Sequence, residues 1–261
     1  MFKAFKSGYQ SVMMAPTEIL AIQHYESISE LFEEEDIKCE LLVSNITKKK
    51  KEDIIQRLKD GDIDILIGTH ALIEDYVEFK NLGLAITDEQ NRFGVQQRAK
   101  LSSKGKSPDT LVMTATPIPR TLALILYGDL DISVIDELPP GRKEIKTYVR
   151  SSQNKSKIYD FVKLQIEEGR QAYIVCPLIE ESETLDLKSA TELYEELSEK
   201  EFKDFKVGLL HGKMKSKEKD SIMMSFKNKE LDILISTTVI EVGVNVPNAS
   251  IMIIENAERF G

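Results

Sequence analysis

Nine short runs of β-branched and aliphatic residues recur along this chain, and stretches with helical hydrophobic spacing separate them. The runs cover residues 11–14, 41–43, 63–67, 84–87, 110–114, 172–175, 207–210, 231–235 and 251–254. One intervening stretch places Ile22, Tyr25, Ile28 and Phe32 on one helical face, and Thr17 stands where a helix cap is expected. Such alternation predicts an α/β fold with parallel sheets and helices on both faces.

The chain of 261 residues is long enough for two domains of roughly 130 residues each. Its most helix-hostile stretch contains Pro139, Pro140 and Gly141, where two amide donors are missing. We therefore predict a first domain at 1–137, a linker at 138–147 and a second domain at 148–261.

An internal repeat supports two related domains. Shifting the sequence by 168 residues without a gap lays residues 51–69 on residues 219–237, with eight of nineteen positions identical. Any helix followed by a strand shares part of this pattern, but a duplicated α/β unit explains the identities better.

Bulk composition excludes several classes of protein. Hydrophobic residues make up 41% and charged residues 30%, which is typical of a globular protein. The net charge of −9 confines any nucleic-acid contact to a local patch. Cys39 and Cys176 lack the spacing of a metal or redox pair, so we expect buried free thiols. No apolar run approaches the length of a membrane span, and a cytoplasmic location is expected.

Two adjacent acids, Asp88 and Glu89, close the apolar run at 84–87. The carboxyl edge of a parallel sheet is where α/β folds place their ligands. One acid there suits Mg²⁺, and its neighbour suits polarisation of an attacking water in phosphoryl transfer.

Seven segments in one order carry a family resemblance. They read MAPTEILA at 14–21, IGTHALI at 67–73, DEQNRFGV at 88–95, MTATPIPRT at 113–121, IDELPPGR at 135–142, EGRQAYIVCPLIEESE at 168–183 and TTVIEVGVNVPNASIMIIENAERFG at 237–261. The chain thus resembles the RecG helicases of the second helicase superfamily. That resemblance implies two tandem RecA-like domains of the P-loop NTPase type, and an ATP-dependent helicase or translocase acting on branched DNA in recombination and repair.

The resemblance also implies roles for individual residues. Asp88 would be the magnesium partner and Glu89 the catalytic base, with ATP lying between the two lobes. Segments that couple nucleotide state to DNA would contain Gln90, Asn91, Thr114, Ala115 and Thr116. Nucleotide-lining positions would be Glu241, Gly243 and Asn245.

A DNA backbone would be held at strand ends. The residues implied are Pro16, Thr17, Gly68, Thr69, His70, Thr237 and Thr238. Amides and threonine hydroxyls suit phosphate oxygens and carry no base information. The alternative is that these threonines only cap helices, and the repeat places Thr69 and Thr237 at equivalent positions. His24 and His211 show no ligand partner in the sequence and are interpreted as structural.

Some family features differ or are missing. Asn91 stands where the family has histidine, Asn245 where it has aspartate, and residues 43–45 read Val-Ser-Asn where it has Thr-Gly-Ser. The chain has no G-x-x-x-x-G-K-[ST] motif, and the resemblance implies a phosphate loop before Met1 and an arginine segment after Gly261. We therefore expect the polypeptide by itself to hydrolyse ATP no faster than buffer.

Two other functions fit parts of the pattern. A transcription-repair coupling translocase shares the acidic pair and TATPIPRT, although IDELPPGR and PLIEESE favour the RecG type. A non-catalytic DNA-binding or scaffold protein would explain Asn91, Asn245 and the missing motifs, although Asp88 and Glu89 are present.

Overall fold

The computed structural model describes residues 1–44, 46–89, 93–115, 131–137, 144–176, 191–237 and 246–259. It divides the chain into two compact units, Met1–Lys146 and Thr147–Gly261. Residues 144–150 are exposed and belong to no helix or strand. The predicted linker at 138–147 contains the division between the units, and its residues 138–143 lie outside the described part of the chain.

The first unit is built on a five-stranded parallel sheet. Its elements are α1 Phe2–Lys6, β1 Gln10–Met14, α2 Glu18–Leu31, β2 Cys39–Leu42, α3 Lys48–Asp60, β3 Ile65–Gly68, a 3₁₀ turn His70–Ile73, β4 Leu82–Thr87, α4 Val95–Ser102 and β5 Asp109–Val112. The strand order is β2-β3-β1-β4-β5. β1 is therefore central, and all five of its residues are buried.

The second unit repeats this plan with four parallel strands among its described residues. Its elements are a 3₁₀ turn Ser152–Asn154, α5 Lys155–Glu167, β6 Gln171–Val175, a π-helical turn Leu197–Glu201, β7 Val207–Leu210, α6 Ser216–Lys227, β8 Ile233–Ser236, β9 Ala249–Ile254 and a 3₁₀ turn Ala257–Arg259. The strand order is β7-β8-β6-β9.

Both faces of the first sheet are covered, as the alternating pattern predicts. On one face Val12 and Leu66 pack with Ile54 and Leu58 of α3. On the other face Ile65, Ile67 and Ile86 pack with Leu20 and Ala21 of α2. Burying such side chains contributes about 1.5 to 3 kcal/mol each. The expectation of parallel sheets with helices on both faces is confirmed for this unit.

The predicted repeat is also confirmed in register. β2 pairs with β3 from Cys39 opposite Ile65, and β7 pairs with β8 from Val207 opposite Ile233. Each of these partners lies at the shift of 168 residues seen in the sequence. The central strands β1 and β6 even share a register irregularity at their first residues.

Two local predictions were tested by packing. Thr17 caps α2, since its side chain accepts a hydrogen bond of 3.3 Å from the amide of Leu20. Phe161 was grouped with the apolar face of its helix, but it is 54% exposed and Tyr159 is buried instead. The inward face of α5 runs through Tyr159, Val162 and Ile166, which share the helical spacing of three and four residues.

Candidate functional site

The carboxyl edge of the first sheet collects most of the predicted site residues that the structure describes. Along this edge, β3, β1, β4 and β5 lead into Thr69, Pro16, Asp88 and Met113 respectively. Backbone hydrogen bonds of 2.9 to 3.0 Å link successive exits, from Ala15 to Gly68, from Asp88 to Met14 and from Met113 to Thr87. The loops after these strands therefore start from fixed positions.

The carboxylate of Asp88 is held by two donors. Its Oδ2 lies 2.7 Å from Nε2 of His24, and its Oδ1 accepts a 2.9 Å hydrogen bond from the amide of Glu89. The side chains of His24 and Asp88 are only 24% and 19% exposed. Hydrogen bonds to a charged acceptor are about twice as strong as neutral ones. The orientation of this carboxylate is therefore well defined.

Glu89 has an unusual backbone. Its φ of +49° lies in the left-handed region, which non-glycine residues rarely adopt. Such conformations cost about 1 to 3 kcal/mol and are found more often at functional sites. The turn sends Glu89 away from the direction of β4 immediately after Asp88.

His24 reaches Asp88 because helix α2 starts at this edge. The helix is anchored by the Thr17 cap and by Glu18, whose Oε1 accepts a 2.9 Å hydrogen bond from the amide of Ser44. Leu20 and Ala21 are buried, and His24 follows them by four and three residues on the same helical face. Interpreting His24 as only structural was therefore wrong, since its imidazole contacts the candidate catalytic acid. The usable signal was a histidine on the inward face of a helix that begins at the sheet edge.

The threonines predicted to contact DNA differ in accessibility. Thr69 is 2% exposed, and its buried Oγ1 has no hydrogen-bond partner among the described residues. Thr237 is 3% exposed, and its amide donates a 3.2 Å hydrogen bond to the carbonyl of Leu210. Thr17 and Pro16 are half-buried, whereas His70 is exposed. In this conformation, Thr17 and His70 present more surface to a ligand than Thr69 and Thr237 do.

Gly68 lets two strand ends approach closely. A Cβ at this position would lie 2.1 Å from the carbonyl oxygen of Leu42, so no other residue fits this backbone. The exit toward Thr69 and His70 thus depends on a glycine.

The second unit carries an acid at the matching place. Glu255 follows β9 and its amide bonds to the carbonyl of Val175, as Asp88 bonds to Met14. Its carboxylate lies 2.8 Å from Nζ of Lys155 and accepts a 3.2 Å hydrogen bond from the hydroxyl of Tyr159. Burial and the Glu255 charge raise the pKa of Tyr159, and burial raises the pKa of Cys176 to about 11.

Several predicted site residues lie outside the described part of the chain. These are Gln90, Asn91, Thr116, Thr238, Glu241, Gly243 and Asn245. Of the remaining coupling residues, Thr114 is half-buried just past β5 and Ala115 is exposed.

A metal at this edge would depend on a shared ligand set. Among the described residues, no group of three or more histidine, cysteine or acidic side chains could hold an ion. Mg²⁺ commonly keeps several waters and takes one or two protein carboxylates together with substrate phosphates. The oriented, partly exposed Asp88 carboxylate fits that mode of binding. Among the same residues, no helix has the length and apolarity needed to cross a membrane.

Comparison with known families divides the chain as the structure does. Residues 1–125 match the DEAD/DEAH box helicase family, and residues 154–259 match the helicase conserved C-terminal domain.

Similar proteins carry one name. The chain is 54% identical over its whole length to the ATP-dependent DNA helicase RecG of Bacillus subtilis, and covers 38% of that protein. It is 56% identical over 98% of its length to the RecG helicase of Aquifex aeolicus, and covers 32% of that protein. The chain thus spans about a third of the length of these curated relatives.

A solved structure of RecG bound to a three-way DNA junction is also similar. It matches with a TM-score of 0.80 and 51% identity, covering 97% of this chain and 33% of that one. With two RecA-like lobes, an acidic pair at the sheet edge and this identity along its whole length, the chain belongs to the RecG helicase family.

Proposed function

We propose that this chain forms the paired motor lobes of an ATP-dependent DNA helicase or translocase of the RecG type, acting on branched DNA in recombination and repair. The observation that carries the proposal is the oriented Asp88 carboxylate beside Glu89 at the carboxyl edge of the first sheet. Relatives above 50% identity named as DNA helicases, and a related structure bound to a three-way junction, support it. They favour RecG over the transcription-repair coupling translocase.

ATP and Mg²⁺ are the proposed cofactors. The metal would neutralise charge on the phosphates. Asp88 would hold the metal through water, and the fixed carboxylate would keep that position constant between cycles. Glu89 would accept a proton from the attacking water, so its left-handed backbone turn serves to aim the base. Glu241, Gly243 and Asn245 are proposed to line the nucleotide.

DNA is the proposed partner, held by its backbone. Pro16, Thr17 and His70 would contribute through side chains, and Gly68, Thr69, Thr237 and Thr238 through main-chain amides or after a local rearrangement. β1 lies between β3 and β4, so the nucleotide loop and the two DNA loops follow neighbouring strands. Gln90, Asn91, Thr114, Ala115 and Thr116 are proposed to transmit nucleotide state along this edge. The cytoplasmic location stays a prediction.

A graft tests the proposal. Residues 1–261 would replace the matched residues of the B. subtilis RecG helicase, which supplies the remaining segments. We expect junction-stimulated ATP hydrolysis and fork unwinding by the graft, and loss of both in Asp88→Asn. Hydrolysis by Asp88→Asn at the rate of the unmutated graft would refute the assignment, and a soluble, folded graft that binds junctions without hydrolysis would favour the scaffold alternative.

A further inference from the structure

We infer that His24 is a positioning residue that orients the Asp88 carboxylate toward the magnesium ion. The inference rests on the proposed function and adds a residue that none of the seven sequence motifs assigns to the reaction. It starts from the 2.7 Å contact between Nε2 of His24 and Oδ2 of Asp88.

The geometry restrains rotation of the carboxylate. Oδ2 faces the imidazole, while Oδ1 takes the amide of Glu89 at 2.9 Å. Turning the carboxylate about its last bond would break both hydrogen bonds at once. Each oxygen has further lone pairs, so a hydrated metal ion can still bind.

His24 is itself held in place from several directions. It lies 64 residues before Asp88 in the sequence and belongs to α2. That helix is fixed by its Thr17 cap, by the bond from Ser44 to Glu18 and by burial of Leu20 and Ala21. The imidazole therefore reports the position of the sheet edge to the carboxylate through a rigid element.

Comparison with the second unit shows why a histidine suits this role. The equivalent acid, Glu255, is paired with Lys155 at 2.8 Å. A lysine ammonium is a compact cation that would repel a divalent metal. An imidazole can donate the same hydrogen bond without carrying a charge. The two units thus share the edge acid, but the partner in the first unit is compatible with Mg²⁺.

Hydrogen-bond partners of metal-binding carboxylates have measurable effects. Removing one typically costs about 10- to 100-fold in metal affinity or activity. We expect His24→Ala, made in the RecG graft, to raise the Mg²⁺ concentration for half-maximal ATP hydrolysis by about this factor. His24→Gln, whose amide can donate from a similar distance, should restore most of the affinity.

The experiment combines turnover with metal binding. Mg²⁺ dependence of ATP hydrolysis is measured with junction DNA, and Mn²⁺ binding is followed by electron paramagnetic resonance with ADP and no DNA. Ser27→Ala is the control, because Ser27 is exposed on the same helix. Thermal unfolding establishes that each variant is folded. A merely structural role would reduce the maximal rate or the stability without shifting the metal dependence.

The outcomes separate the two proposals. A shift in both metal readouts for His24→Ala, reversed in His24→Gln and absent in Ser27→Ala, supports the inference. If Asp88→Asn weakens Mn²⁺ binding and His24→Ala does not, only the inference about His24 fails. If Asp88→Asn leaves Mn²⁺ binding unchanged, the metal assignment fails and the role of His24 fails with it.

Discussion

Gln10 and Gln171 make the same two hydrogen bonds in the two units. Nε2 of Gln10 donates to the carbonyls of Leu58 and Ile63 at 3.0 and 2.7 Å. Nε2 of Gln171 donates to the carbonyls of Phe226 and Leu231, both at 2.6 Å. Each glutamine is buried at the start of the central strand and ties it to the helix and loop that precede the next strand. The duplication therefore extends from strand order to individual side-chain contacts.

Removing either glutamine should destabilise its own unit. Gln10→Ala leaves two buried carbonyls without this donor, and each unsatisfied group costs about 1 to 3 kcal/mol. Hydrogen-exchange mass spectrometry should show faster exchange in the strands of the first unit, and Gln171→Ala should do the same in the second. Gln96→Ala, at an exposed position, should change little. Equal protection in Gln10→Ala and the unmutated chain would show that the bonds are dispensable.

Thr17 can be tested for DNA contact separately from helix capping. Aspartate caps helices at least as well as threonine, so Thr17→Asp should keep α2 intact. A negative charge beside a phosphate costs on the order of 1 kcal/mol even in water, which is about fivefold in affinity. Fluorescence anisotropy with single-stranded DNA should therefore show at least this weakening.

Thr47→Asp provides the matched control. Thr47 caps α3 through the amide of Lys50 at 3.3 Å, so the same charge is added at another cap. Equal affinities of the Thr17→Asp and Thr47→Asp variants would reduce Thr17 to a helix cap.

Cys176 should make stability depend on alkaline pH. Burial raises the pKa of its thiol from 9.0 to about 11. Between these values the unfolded chain loses the proton and the folded chain keeps it, so this contribution to stability is complete below pH 9 and declines toward pH 11. A shift of this size corresponds to about 2 to 3 kcal/mol.

Urea unfolding from pH 8 to 10 measures this effect. Cys176→Ala should show a shallower decline than the unmutated chain, because the remaining lysines and tyrosines titrate in both. Parallel declines in the two proteins would mean that the thiol of Cys176 titrates normally.

Local patterns predicted the fold well, since strands and helices leave periodic signals within a few residues. The shift of 168 residues placed Thr69 and Thr237 at matching strand exits, and the structure agrees. The burial of both threonines was not predictable, because it depends on how each exit packs. The contact between His24 and Asp88 was missed for a similar reason, since it joins residues 64 positions apart. Phe161 and Tyr159 both fit a helical face, and only packing decided between them.

The central claim is that Asp88 and Glu89 form the hydrolytic pair of a DNA-driven motor. Glu89→Gln, in the RecG graft, removes the proposed base and keeps a side chain of the same size. We predict that this variant binds ATP with unchanged affinity and loses about 10²-fold or more of its junction-stimulated phosphate release. Phosphate release near the rate of the unmutated graft would contradict the account.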